Sequence, residues 1–239
     1  SNTVTVVTVG LRTPSMLEFL QYAPMSPSAT AVPVAVTDYR SSGTAAGPFV
    51  ALAPPVPSGS PTPINLGAPV PLEPVTLYHK GDPVFVRLTD LDQNIDPLTA
   101  ETVLVIINVA GTGDTELLRI SETGPDTGVF TGYIQSYIDS MYPLAANPSN
   151  GQLGLQDNDV ISASYTDVVD GSDTSAASTL VDPFGNLFDS ATGALVDGAQ
   201  VTLLNDSTNL PATVYGDDGI SIFPSTITSG GTVTDSGGM

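Results

Sequence analysis

Six short runs of β-branched, aromatic and other apolar residues, separated by turn residues, lie between residues 79 and 181. The runs are 83–89, 102–109, 115–121, 128–135, 160–166 and 176–181. β-branched side chains favour extended backbone, and Gly, Pro, Asn and Asp between the runs favour tight turns. Short strands at this spacing predict an all-β protein built on a β-sandwich.

The charge of the chain restricts its partners. Among 239 residues there are 25 acidic and five basic side chains, which gives a net charge of −20. A nucleic-acid binder needs clustered cations to neutralise phosphates, and a membrane-surface helix needs a basic face. We therefore expect no nucleic-acid partner and no membrane insertion. The absence of cysteine excludes disulfides, zinc–thiolate sites and thiol catalysis.

Composition divides the chain into three parts. Residues 1–78 hold 13 of the 21 prolines and predict an N-terminal strand with a Pro-rich extended arm, or a partial β domain. The six strands of the predicted sandwich lie in residues 79–181. Residues 182–239 contain seven acids and no base, with only three or four short predicted strands. That number is small for an independent sandwich, so we expect an incomplete module or a strand-exchange segment.

Two passages carry a family resemblance. An Asp-Leu-Asp-Gln-Asn-Ile-Asp-Pro run at 90–97 is followed by Glu-Thr-Gly-Pro-Asp-Thr-Gly-Val-Phe-Thr-Gly at 122–132 and Ala-Ser-Tyr-Thr-Asp at 163–167. This pattern resembles a tandem immunoglobulin-like sandwich repeat of very large bacterial cell-surface and extracellular proteins. Residues 188–203 resemble the start of a carboxypeptidase-regulatory-like or collagen-adhesin B-type module. The resemblance implies immunoglobulin-like sandwiches, an incomplete last domain, an extracellular scaffold and no catalytic residues.

One acidic loop has the spacing of a calcium ligand set. In residues 90–101, oxygen-bearing side chains stand at positions 1, 3, 5, 7 and 12 of the loop. An EF-hand loop places its calcium ligands at these positions. Ile95 stands where that loop has glycine, and strands flank it, so an acidic turn is the alternative. Glu122, Asp126 and Asp167 are candidate additional ligands. The predicted calcium ligands are Asp90, Asp92, Asn94, Asp96 and Glu101.

The sequence contains only short matches to known catalytic motifs, and their context does not support catalysis. Asp-Thr-Gly at 126–128 and Asp-Ser-Gly at 235–237 match the short aspartic-protease motif, but both have the context of turns. His79 and Lys80, the only residues of their types, have no nucleophile elbow to act with. We therefore expect that this chain is not an enzyme.

The N-terminal segment is uncharged and rich in β-branched residues. An exposed strand of this kind pairs readily with other chains. We expect it to join copies of the chain head-to-tail, so that the chain is a structural subunit of an extracellular filament, sheath or surface layer. The alternative is a calcium-dependent adhesion or carbohydrate-binding module of a large secreted protein. The predicted assembly strand consists of Thr3, Val4, Thr5, Val6, Val7, Thr8 and Val9.

Overall fold

A computed structural model describes residues 13–42, 47–58, 60–138, 148–156, 158–181, 196, 198–215 and 222–229. The chain forms two compact units, residues 1–183 and residues 184–239. The predicted assembly strand at 3–9 lies outside the described residues.

The first unit is built from one thirteen-stranded mixed sheet. Its strands are β1 (Met16–Tyr22), β2 (Thr30–Val32), β3 (Asp38–Arg40), β4 (Phe49–Ala51), β5 (Val70–Pro74), β6 (Leu77–Tyr78), β7 (Pro83–Thr89), β8 (Thr102–Val109), β9 (Thr115–Glu122), β10 (Val129–Ile138), β11 (Gln152–Leu155), β12 (Val160–Thr166) and β13 (Thr174–Val181). The main path runs β2-β5-β1-β7-β10-β9-β8-β12-β13-β6. Off this path β11 pairs with β10, and β3 pairs with β4 and β9.

Neighbouring strands on this path are antiparallel except β6 and β13, which run parallel, as do β10 and β11 off the path. The register of β1 on β7 places Glu18 opposite Arg87. There the Arg87 guanidinium donates a hydrogen bond of 2.8 Å to the Glu18 carboxylate. The two charges therefore support the same register that the apolar side chains require.

Strand β7 is buried on both faces of the sheet. Val84, Val86 and Leu88 belong to the main core, which also takes residues from β1, β8, β9, β10, β12 and β13. Phe85 points the other way, into a second core with Tyr133. By contrast, β8 alternates between buried and exposed positions, as expected for a strand with one face in contact with solvent.

The Pro-rich segment packs against the sheet. In this segment, residues 48–74, Ile64 is buried in the second core together with Leu20 and Phe85. Val70 and Leu72 are buried there too, and they belong to β5, which is itself a strand of the sheet. Most of this segment has no regular secondary structure, and β4 and β5 are its two strands. Proline restricts the backbone of the segment in advance, which lowers the entropy cost of laying it on the sheet. The segment therefore covers one face of β7.

The second unit contains two small sheets in its described residues. Strands β14 (Gln200–Thr202) and β17 (Thr226–Thr228) form one antiparallel pair. Strands β15 (Val214–Tyr215) and β16 (Ile222–Phe223) form the other.

The prediction of an all-β protein is confirmed. In the part of the chain that the structure describes, the single helical element is a short 3-10 helix at Leu91–Gln93. The thirteen strands pair in one sheet, so the immunoglobulin-like sandwich stays a prediction. The domain boundaries also stay predictions, although strands from both sides of residue 78 lie in the same sheet. None of the helices in the described residues has the length and apolar character needed to cross a membrane.

The packing of β10 against β9 predicts that Gly132→Ala destabilises the first unit. A Cβ atom at Gly132 would lie 2.1 Å from the Cγ2 atom of Ile120, a fully buried side chain. Overpacking of this kind costs about 1–3 kcal/mol of unfolding free energy. Urea denaturation would measure the loss. The matched control is Gly171→Ala, where no atom lies within 4 Å of the added methyl group. Equal stability of the two variants would contradict this prediction.

Candidate metal centre

Three aspartates from separate strand ends meet at one place in the first unit. Asp90 directly follows β7, Asp167 directly follows β12, and Asp173 directly precedes β13. The hairpin of β12 and β13 brings the last two together, and the Asp167 N–H donates to the Asp173 carbonyl oxygen at 3.0 Å. One carboxylate oxygen from each of the three lies within 4.8 Å of the others. This group can hold a metal ion.

Two of these carboxylates are almost completely buried. The exposed fraction is 1% for Asp90 and 2% for Asp167. Buried carboxylate oxygens nearly always have a hydrogen-bond donor or a cation beside them. Yet the Oδ1 atom of Asp90 and the Oδ2 atom of Asp167 have no hydrogen-bond partner. The cluster therefore holds oxygen atoms whose binding capacity is unused.

The remaining oxygens of these two carboxylates are held by protein donors. The Tyr165 hydroxyl donates to Asp90 Oδ2 at 2.8 Å. Asp167 Oδ1 accepts from the Gln93 side-chain amide at 2.7 Å and from the Val169 N–H at 2.6 Å. Each aspartate is thus fixed through one oxygen while its other oxygen is left for a ligand. In metal sites, hydrogen bonds from neighbouring protein groups to the ligands orient them in the same way.

Burial and a neighbouring acid change the protonation of the cluster. Burial, followed by the adjacent Asp92 carboxyl, raises the pKa of Asp90 to about 7. Burial raises the pKa of Tyr165 far above its ordinary value, and its hydrogen bond to Asp90 adds to the shift. Like charges brought close together in a buried site disfavour ionisation unless a proton or a cation neutralises them. A proton on Asp90 or a bound cation can supply that neutralisation.

The five ligands predicted from the sequence have different surroundings. Asp90 lies in the cluster, and Asp92 lies against it with a buried Oδ1 atom that has no partner. The Asn94 side-chain NH2 group donates to Asp126 at 2.9 Å, whereas its Oδ1 atom is buried and has no hydrogen-bond partner. Asp96 is exposed and accepts from the Leu98 N–H and the Thr99 hydroxyl, which are turn contacts.

Glu101 acts within the loop itself. Its Oε1 atom accepts the N–H groups of Ile95 and Asp96, at 3.1 and 2.6 Å. Its Oε2 atom is buried and has no hydrogen-bond partner. Of the additional ligands considered from the sequence, Asp167 joins Asp90. The sequence analysis missed Asp173, whose only signal is its place in an acidic turn between two predicted strands.

A tight turn fixes the backbone at Asp90. Gly128 has a φ of +60°, and a Cβ atom there would lie 2.9 Å from the Cα atom of Leu91. This close approach lets the Asp90 N–H donate to the Gly128 carbonyl oxygen at 2.8 Å. The Glu122 carboxylate accepts the N–H groups of Thr127 and Gly128, and these bonds hold its pKa below the ordinary value. The Asp-Thr-Gly sequence at 126–128 therefore forms a turn that supports the cluster, and the Asp-Ser-Gly sequence at 235–237 lies outside the described residues.

A second buried acid shows the contrast with a purely structural role. Glu116 is fully buried, but its two oxygens accept the N–H groups of Asn150 and Gly151, at 2.8 and 3.2 Å. Burial still raises the pKa of Glu116 to about 7. Glu116 does not belong to the group of three acids that can share an ion among the described residues, and its oxygens bind backbone N–H groups, so it is an anchor for the loop before β11 and not a ligand candidate.

No protein-family model matches this sequence, and no curated protein is similar to it.

The raised pKa of Glu116 predicts a pH dependence of stability. The folded protein keeps this proton up to about pH 7, whereas the unfolded chain releases it near the ordinary value of 4.5. The stabilisation is therefore complete below pH 4.5 and is lost as the pH rises through 7, with a magnitude on the order of 3 kcal/mol. Glu116→Gln removes this titration. Urea denaturation in the presence of a chelator should show that the wild type loses more stability between pH 5 and pH 8 than the variant does. Equal losses would contradict the assignment.

Proposed function

We propose that this chain is a structural subunit of an extracellular filament, sheath or surface layer. Subunits join head-to-tail by pairing of β-strands between copies, and calcium stabilises each subunit. The proposal keeps the immunoglobulin-like module architecture that the sequence resemblance implies, and it assigns no catalysis to the chain. The observation that carries it is the exposed apolar face of the C-terminal unit.

The C-terminal unit has small sheets with poorly covered apolar side chains. Among its described residues no sheet exceeds two strands, and a two-stranded sheet is marginal by itself. Val201, Leu203 and Ile227 are 43%, 56% and 40% exposed. With Val214 and Phe223 they line an open groove of about 310 Å³. An added strand from another molecule would pair with a free edge and cover this apolar surface.

The N-terminal segment is suited to supply that strand. Residues 3–9 contain only Thr and Val, with no charge, proline or glycine. Seven residues match an ordinary strand and exceed the length of the strands that they would extend. Because donor and acceptor are different segments, the contact is heterologous, and the assembly grows as an open chain when the rotation between subunits does not close a ring.

Calcium belongs to this proposal because of the chemistry of the acidic cluster. The described ligand candidates offer carboxylate oxygens, which are the donors that hard cations prefer. Outside the cell, weak calcium sites with dissociation constants of about 10⁻⁴ to 10⁻³ M are occupied. An acidic subunit with weak sites is therefore suited to a cell-surface or extracellular location.

Electron microscopy of Val6→Pro tests the proposal. Proline removes a backbone donor from the middle of the assembly strand, so filaments formed by the wild type in calcium should be lost or strongly shortened. Asn2→Pro is the control, because it places the same residue outside the Thr and Val run. Unchanged filaments in Val6→Pro would contradict strand pairing. Compact single particles of the wild type, with and without a calcium chelator, would overturn the filament proposal and favour an adhesion module.

A further inference from the structure

We infer that one divalent cation of the calcium type binds between Asp90, Asp92, Asp167 and Asp173, and that it fastens the chain entering β1 to the end of the sheet. This site joins three separate segments of the fold, whereas the ligand set predicted from the sequence lies in one loop.

Unused oxygen atoms point to the ion. Asp90 Oδ1, Asp92 Oδ1 and Asp167 Oδ2 are buried and have no hydrogen-bond partner. One oxygen each from Asp90, Asp167 and Asp173 lies within 4.8 Å of the others, a spacing that a single ion can bridge. Asp92 lies two residues after Asp90 and adds a further unused oxygen. Three grouped carboxylates with Asp92 beside them can be partly neutralised by a dication, which takes up the unused oxygens.

The donor set selects the class of ion. The candidate ligands are carboxylates, and the protein has no cysteine and a single histidine, His79. Oxygen donors of this kind suit Ca²⁺ and Mg²⁺ better than zinc or copper. The carboxylates lie on two loops, residues 90–92 and 167–173. Ca²⁺ tolerates irregular geometry with six to eight oxygens at 2.3–2.6 Å, whereas Mg²⁺ demands a near-ideal octahedron. Calcium is therefore the expected ion, with water completing its shell.

The same carboxylates hold the residues before β1. Asp173 accepts two hydrogen bonds of 2.9 Å from Ser15, one from its N–H and one from its hydroxyl. Asp92 accepts the Thr13 N–H at 3.3 Å, and the Thr13 hydroxyl oxygen is buried without a partner. An ion that fixes Asp92 and Asp173 therefore also fixes Thr13 and Ser15. Removing it frees these carboxylates to repel each other and loosens the entry to β1.

This anchoring gives calcium control over the assembly segment. Residues 3–9 end four positions before Thr13, so an ion that fixes Thr13 limits how far that segment can reach. This last step rests on the proposed function, whereas the site itself and its hold on Thr13 and Ser15 do not.

Calcium titration of the full chain tests the site. The chain is first treated with a chelator, and binding of Ca²⁺ alone is then followed by calorimetry at dilutions where it is monomeric. We expect one ion per chain and a rise in Tm of roughly 5–10 °C at calcium about a hundredfold above Kd. Absence of binding heat and of any Tm shift would overturn the inference, whatever microscopy shows about filaments.

Two variants with the same change of charge locate the ion. Asp167→Asn alters a buried carboxylate with an unused oxygen, so we expect at least a tenfold weaker Kd and loss of the Tm shift. Asp96→Asn is the matched control, because Asp96 is exposed and makes turn contacts only. We expect it to bind calcium like the wild type. The reverse result would place the ion in the linear loop and overturn the cluster.

Trypsin digestion of the wild type tests the anchoring without relying on a folded variant. Arg12, the one basic residue before β1, precedes Thr13 directly. A bond held by the ion-fixed carboxylates should be cut at least several-fold more slowly in calcium than in chelator. Hydrolysis of a small chromogenic trypsin substrate provides the control for trypsin activity in each buffer. If calcium binds but leaves cleavage after Arg12 unchanged relative to that control, the ion does not fasten this segment.

Discussion

Burial of β7 on both of its faces organises the first unit. A strand in the middle of a sheet can be apolar in both directions only if each face is covered, and here the main core covers one face while the Pro-rich segment covers the other. Val84 and Val86 belong to the main core, and Phe85 belongs to the second core. The pairing partners β1 and β10 are placed by the same strand. The proline-rich residues are thus an integral layer of the fold.

The carboxylate cluster depends on this frame. Asp90 is the first residue after β7, so its position follows from the position of the strand. Gly128, directly before β10, approaches it closely enough for a backbone hydrogen bond. A rigid strand end lets an acid be buried without a partner for each oxygen, because the backbone cannot relax to expose it. Binding of an ion can then offset the free-energy cost of removing the Asp90 carboxylate from water.

Local pattern explains what the sequence could predict. The bounds of β7, β8 and β12 agree with the predicted runs, because strict alternation or a continuous apolar run identifies a strand from its own residues. Strands such as β3 and β11 were not predicted, because they are short and are stabilised by pairing with other strands of the sheet. The site divides in the same way. Spacing along the chain predicted Asp90 and Asp92 as ligands and made Asp167 a candidate, whereas Asp173 meets Asp90 only through the hairpin of β12 and β13.

The order of strands in the sheet also governs how the first unit is made. Hairpins such as β8–β9 and β12–β13 join neighbours in sequence, whereas Leu20 pairs with Phe85 and Leu77 pairs with Leu180. Closing such long loops costs chain entropy before any contact offsets it, so these pairings form late and folding is slow, on the scale of milliseconds to seconds. The carboxylates of Asp90 and Asp173 come together only after those closures. A ligand that recognises this late arrangement leaves the rate of folding nearly unchanged and slows unfolding, which makes the folded state long-lived.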